Sequence, residues 1–322
     1  MSLAFIFPGQ GAQAVGMGRA LYERYAVARR VIDIAAEACG LDLPRLCFEG
    51  PADRLDETEV TQPALLAVSA AVVAVLAAGG VRPQAVAGLS LGEYGALLCA
   101  NAAELTALSA LVRLRGRCMQ EAVPIGVGGM AAVVGLGREG VETLCLRALN
   151  ALSAEGEAPV GGWVLTPANY NCPGQIVISG HLPAVRRAVA LGRDCGARRV
   201  QLLPVSAPFH SALMLPAEER LRPAIEAVAW GTPEIPVVAN VHAQVVAGAE
   251  EVRAALVRQV SQPVLWEDCV RRLATLGCDT FVEVGPGRAL TGFVGRILPS
   301  ARALAVSDPE GVADVMAMAV ER

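Results

Sequence analysis

The chain opens on an unbroken apolar run, LAFIF at 3–7, which stops at the glycine-rich turn PGQG. That pattern predicts a buried strand ending in a tight turn. Apolar residues at helical spacing follow through MGRALYERYAVARRVIDIAAEA (17–38) and predict a helix. A second short strand is expected at PQAVAG (83–88), with a helix starting at Leu91. Strand, tight turn and helix in this order belong to an α/β domain with a parallel sheet.

The rhythm changes between about 127 and 203. GGMAAVVGL reads as a strand, REGVETLCLRALNAL as a helix, and WVLTPANY and QIVISG as two strands. LPAVRRAVALGRDCG then reads as a helix and RRVQLLPV as a last strand. The order βαββαβ is the ferredoxin-like arrangement. SAEGEAPVGG (153–162) is expected to be a surface loop within it. The α/β pattern resumes at EIPVVANV and TFVEVGPGRALTG. The expected organisation is therefore a large parallel-sheet domain, 1–126 and 204–322, with a small ferredoxin-like domain, 127–203, inserted in it.

Composition narrows the chemistry. With 322 residues, 54% of them hydrophobic, the chain can bury a large core. The net charge is −4 and the basic residues form no long run, so no nucleic-acid partner is expected. All 27 basic residues are arginine, which excludes Schiff-base lysine chemistry and a Walker-type lysine. Nine cysteines lie scattered without a CxxC, and the three histidines have no ligand-spaced partner, so no metal site is expected. The apolar stretch 64–81 reads as a buried helix rather than a membrane span. The N-terminal run lacks a basic flank and is cut by Pro8 and Gly9; a cytoplasmic protein with reduced thiols is expected.

GLSLG (88–92) fits G-x-S-x-G between a strand and a helix. Such a turn exposes the serine hydroxyl at the top of the sheet, and the free N–H groups of the new helix suit a developing oxyanion. A serine nucleophile needs a base. His181, His210 and His242 are all candidates; His210, in LPVSAPFHSALM, lies where the chain returns to the large domain.

Together these segments resemble the malonyl-CoA:acyl-carrier-protein transacylase family over about residues 3–300. The resemblance rests on FIFPGQGAQ (5–13), GLSLGEYGAL (88–97), LVRLRGRCMQEA (111–122), NYNCPGQIVISG (169–180), PVSAPFHSALM (204–214) and EVGPGRALTG (283–292). It implies a hydrolase-like α/β domain with a ferredoxin-like insert, Ser90 as acyl acceptor and His210 as its base. It further implies a backbone carbonyl, that of Gln259, orienting the histidine, and an oxyanion hole from the N–H groups of Gln10 and Leu91. Arg115 would pair with the malonyl carboxylate, a match for the planar guanidinium. The family often carries G-H-S-L-G; Leu89 stands here instead of that histidine, at a position that varies among acyl-selective and hydrolytic relatives. Phe209 resembles the malonyl-selective pattern. The implied partners are malonyl-CoA, a CoA thioester used as substrate with no cofactor, and an acyl carrier protein, in fatty-acid or polyketide synthesis. A monomer is expected. Arg186, Arg187, Arg193, Arg198 and Arg199 are candidates for carrier docking or simply a solvated face. A proofreading acyl hydrolase, or a transferase for another acyl group, is the alternative. The asparagines of NYNCPGQ and its Gln175 read as groups that satisfy loop backbone.

Overall fold

The computed structural model describes residues 2–155, 158–205 and 207–320. Ten strands form two sheets: β1 (Leu3–Phe7), β2 (Ala85–Gly88), β3 (Gly128–Val134), β4 (Leu165–Cys172), β5 (Gln175–His181), β6 (Arg199–Leu202), β7 (Val237–Val238), β8 (Val245–Val246), β9 (Thr280–Val284) and β10 (Arg302–Val306).

The larger sheet has the order β10-β9-β1-β2-β7-β8, parallel from β10 through β7, with β8 antiparallel at its edge. Every residue of β1 is buried. Leu3, Phe5 and Phe7 enter one core, while Ala4 and Ile6 enter another on the opposite face. Both faces of the sheet are thus covered, which explains the run without polar alternation. The first core is filled by the helix Thr58–Ala78, buried almost all round. Among the described residues it is the one helix long and apolar enough to cross a membrane, and it is a core helix, 83% of its apolar window being buried.

The smaller sheet has the order β4-β5-β3-β6, antiparallel throughout. This is the ferredoxin-like order expected from the sequence. Ala131, Val133, Ile176 and Ile178 face its two helices, Arg138–Glu155 and Leu182–Leu191. Met130, Ala132 and Val177 point the other way and join the core of the larger sheet. The two sheets are also stitched through backbone: Tyr170 N–H donates to Val264 O at 2.9 Å and Val264 N–H to Ala168 O at 2.8 Å.

Several elements differ from expectation. The helix expected over 17–38 is two helices, Arg19–Arg24 and Ala26–Cys39, because Tyr25 is extended (φ −118°, ψ 116°). Of the loop expected at 153–162, residues 153–155 belong to a helix, and Gly156 and Glu157 lie outside the described residues. Ser206, within one of the motifs, also lies outside them. The strand expected at 234–241 shrinks to Val237–Val238.

Candidate active site

The site forms beyond the C-terminal ends of β1 and β2, where two turns touch. Their approach requires glycine. A Cβ on Gly9 would stand 2.5 Å from Leu89 O, and one on Gly92 would stand 2.0 Å from Phe7 O. The side chain of Gly92→Ala therefore collides with backbone, which cannot yield as a side chain can. This substitution is expected to destabilise the fold by more than about 3 kcal/mol, read by thermal or denaturant unfolding. Wild-type stability in that variant would show that the corner is looser than described.

Ser90 occupies the corner itself with φ 52°, a left-handed conformation rare for a residue with a Cβ. Its strain is held from both sides. Ser90 N–H donates to Asn240 Oδ1 at 2.7 Å, and Ser90 O accepts from Gln259 Nε2 at 2.8 Å. Asn240 also donates from Nδ2 to Gly88 O at 2.7 Å. Beyond the corner begins the helix Gly92–Cys99.

The serine Oγ lies 2.7 Å from His210 Nε2. His210 Nδ1 lies 2.8 Å from Gln259 O. The imidazole is therefore tied at both nitrogens, with Nδ1 carrying the proton toward the carbonyl and Nε2 left as the acceptor. His181 and His242 are not in this site: each accepts a backbone N–H through Nδ1, from Val164 and Gln244 respectively. Of the three candidates the structure brings His210 alone to Ser90.

Arg115 is buried beneath the pair. It projects from the helix Leu105–Gln120 and donates to Gln62 Oε1 at 2.9 Å, Gln259 Oε1 at 2.8 Å and Ser90 Oγ at 3.1 Å. It also stands over the Tyr94 ring, 5.5 Å from the centroid. Burial lowers its pKa from the usual value, opposed by Tyr94 and Glu93. Burial also drives His210 down to about 3, and the Arg115 charge drives it the same way. Burial pushes Glu93 up to about 7, against its bonds from Gln259 and Asn240.

The depressed His210 value has a sign that can be checked. In the unfolded chain the imidazole takes a proton near pH 6.5, whereas in the folded protein it does so near 3. Its contribution to stability is present above about pH 6.5 and is lost as pH falls toward about 3. A histidine-selective NMR titration is expected to show His210 neutral down to about pH 5. A midpoint near 6.5 would contradict the arrangement.

A cavity of about 260 Å³ opens over these groups. Gln10 and Leu91, expected as oxyanion donors, and Leu89 and Phe209, expected to bind substrate, all line it. Among the described residues, no acceptor engages the backbone N–H of Gln10 or Leu91. Gln62, Glu93 and Asn240 were missed by sequence reasoning as parts of this site. Their sequence signals are weak: Gln62 stands just before an apolar run, Glu93 lies within the motif at 88–97, and Asn240 follows the run IPVVA. Asn169 and Asn171 line the cavity wall from β4 rather than serving a loop. Both reach the cavity although the pairing of β4 with β5 shifts register between Pro167 and Asn169 and again between Tyr170 and Cys172. Gln175 does stay outside, accepting from Arg296 at 2.7 Å.

The candidate docking arginines divide by face. The helix Leu182–Leu191 packs Ala184, Val185 and Ala188 against the side of the small sheet away from the cavity. Arg186 and Arg187 are thus carried on the remote layer. Arg193, Arg198 and Arg199 are exposed near the edge strand β6.

A hydroxyl at a left-handed corner, held by an imidazole and opening on a lined cavity, defines the class of serine enzymes that carry acyl groups. The comparisons make this specific. The family model described as "Acyl transferase domain" matches residues 4–310. The malonyl CoA-acyl carrier protein transacylase of Escherichia coli strain K12 is 42% identical over 311 residues, covering 96% of this chain and 97% of the relative. The solved structure of the corresponding transacylase from Coxiella burnetii superposes with a TM-score of 0.93 at 37% identity, covering 98% of this chain and 97% of that one. A further solved structure, a malonyl-transacylase in complex with its type II PKS acyl-carrier protein, gives a TM-score of 0.93 at 38% identity over 99% and 100% of the two chains. The chain belongs to the malonyl CoA-acyl carrier protein transacylase family of acyltransferases.

Proposed function

We propose that this protein moves a malonyl group from CoA to the phosphopantetheine thiol of an acyl carrier protein by way of a malonyl-serine at Ser90. The observation that carries the reading is the meeting, in one cavity, of a serine–histidine pair and a buried arginine within hydrogen-bond reach of the serine oxygen. The relatives' names and the carrier-protein complex support the same substrate and acceptor.

In the first half-reaction His210 Nε2 takes the Ser90 proton while Oγ attacks the thioester carbonyl. Gln10 and Leu91 donate their N–H groups to the resulting oxyanion. The tetrahedral intermediate collapses, the C–S bond breaks, and the departing CoA sulfur receives the proton from His210. In the second half-reaction the carrier thiol gives its proton to His210 and attacks the acyl-serine, and Ser90 leaves with that proton restored. Each proton that His210 accepts is returned, so these steps draw on no metal or resident cofactor.

Arg115 receives the carboxylate. Three of its five donors are engaged, which leaves the Nε–H and a second hydrogen on Nη1, and the Nη2 bond to Ser90 Oγ is exchangeable on acylation. Burial is the larger cause of the low His210 pKa; the malonyl carboxylate offsets the second, the Arg115 charge, so substrate binding raises the basicity of the imidazole. An acetyl group brings no such charge. Nine cysteines without a disulfide support a reducing, cytoplasmic setting.

The test is the fate of malonyl-enzyme formed from malonyl-CoA and isolated. It is expected to decay slowly in buffer and to discharge onto a phosphopantetheinylated carrier protein faster by at least about 10³. Fast decay without carrier, with the carrier left unloaded, would instead establish a hydrolase.

A further inference from the structure

The Gln259 side chain lies between the two buried charged groups beneath the site. Its Oε1 faces Arg115 at 2.8 Å, and its Nε2 faces Glu93 Oε2 at 2.8 Å. Glu93 Oε2 accepts in addition from Asn240 N–H at 3.1 Å. Glu93 itself is buried within the first turn of the helix that follows Ser90. No step of the acyl transfer uses it. Gln62, at the other Arg115 nitrogen, is the only further side-chain acceptor that the described hydrogen bonds give this guanidinium apart from Ser90. Among the described salt bridges Arg115 has no carboxylate partner.

A carboxamide can be turned end for end at little cost in shape, and only its partners decide which end is the acceptor. Turned over, Gln259 would aim an NH2 group at the Arg115 cation and an oxygen at Glu93 Oε2 and Ser90 O. Donor would then meet donor and acceptor meet acceptor in a buried place, where unpaired polar groups are costly. The oxygen of Glu93 opposes that turn, together with Ser90 O and the Arg115 cation. In either protonation state Oε2 can remain an acceptor, so the selection survives titration of the acid.

We propose that Glu93 is a positioning residue for acyl selection: by holding the Gln259 carboxamide in one orientation, it aims Arg115 at the carboxylate of the acyl group. This rests on the malonyl-transfer reading above. Glu93 touches neither substrate nor the reacting atoms; it acts through Gln259. Because Gln259 holds His210 by its backbone carbonyl, not its side chain, losing Glu93 leaves the imidazole's anchor in place. The effect should therefore fall harder on carboxylate-bearing acyl groups than on others, which share only the support that Asn240 and Gln259 give Ser90.

The experiment compares Ser90 acylation by malonyl-CoA and acetyl-CoA, as kcat/KM by rapid-quench mass spectrometry, in wild type, Glu93→Met and Glu93→Gln. Methionine fills the volume without a strong acceptor. It is expected to lower malonyl kcat/KM by about tenfold to a hundredfold, the scale of a misaimed contact, and to lower the malonyl-to-acetyl ratio of kcat/KM by at least about fivefold. Glutamine, which keeps an acceptor oxygen, is expected to restore the malonyl value to within about threefold of wild type. Equal losses for both substrates, no loss, or failure of glutamine to rescue would overturn the proposal. If the methionine variant does not fold, Glu93→Asp, with its acceptor withdrawn by one methylene, is read by the same ratio. A selective malonyl loss supports the proposal and an unchanged ratio overturns it. Arg115→Ala serves as the control: if wild type is not malonylated at all, the transfer reading fails. If Arg115→Ala is selective and the Glu93 variants are not, this inference alone fails.

Discussion

Ser90→Ala is expected to form no malonyl adduct and to lose about 10⁴–10⁶ in transfer rate, the scale seen when an enzyme's covalent nucleophile is removed. The substitution is a clean one here. The corner is held through backbone atoms of residue 90, by Asn240 at the amide and Gln259 at the carbonyl, and neither contact needs the hydroxyl. Alanine meets the same left-handed backbone with a side chain no larger than serine's. The lost rate therefore reports chemistry rather than folding. Intact mass after exposure to malonyl-CoA, together with steady-state transfer to carrier protein, checks it. A variant that still carried a malonyl group on another residue, at wild-type turnover, would remove Ser90 from the mechanism.

Arg115→Ala is expected to raise the KM for malonyl-CoA by the loss of a desolvated, hydrogen-bonded charge pair, about 2–5 kcal/mol or roughly 30-fold to several thousandfold. Acetyl-CoA, with no carboxylate to place, is expected to be spared or used better. Two opposing effects meet in the acetyl case. The variant loses a hydrogen bond to Ser90 Oγ at 3.1 Å, which slightly disorders the nucleophile. It also removes the positive charge that, after burial, holds the His210 pKa down, which strengthens the base. For malonyl the missing carboxylate contact outweighs both. Initial rates with each thioester over a range of concentrations decide the matter. A parallel collapse with both substrates would give Arg115 a purely structural role.

The corner around Ser90 was legible because its determinants are local: a short apolar run, glycines on both sides of the serine, and a helix-compatible run after it. The βαββαβ order was legible for the same reason, since each element carries its own period. The break at Tyr25 was not, because the helical spacing of apolar residues continues straight through it while only the backbone departs. β8, β10 and the helix Pro309–Val320 also went unread. The two-residue β8 is too short to show a period. The network under the site was the least accessible part. Gln62, Glu93, Asn240 and Gln259 come from four separate segments, and only the assembled fold pairs Gln259 with Glu93 and Arg115. A buried polar residue must find a partner, yet a linear reading does not say which. Gln259 was placed through the family resemblance for its carbonyl alone; the work of its side chain became visible only in three dimensions.

The cavity draws its walls from two sheets whose facing sides share one core. Ser90 leaves a strand of the large sheet, and Arg115 rises from a helix packed on the buried helix Thr58–Ala78, while Met130, Asn169, Asn171 and Val177 belong to the small one. The reactive pair and the Arg115 grip thus sit in one part of the chain, while part of the wall that encloses the acyl group is lent by another. Drift in the inner face of the small sheet can reshape what the pocket admits while the strained corner and its hydrogen bonds stay as they are. Such a division of labour makes the inserted layer the natural place to search for altered acyl choice, by library or by grafting, with the reactive centre left untouched as a fixed socket.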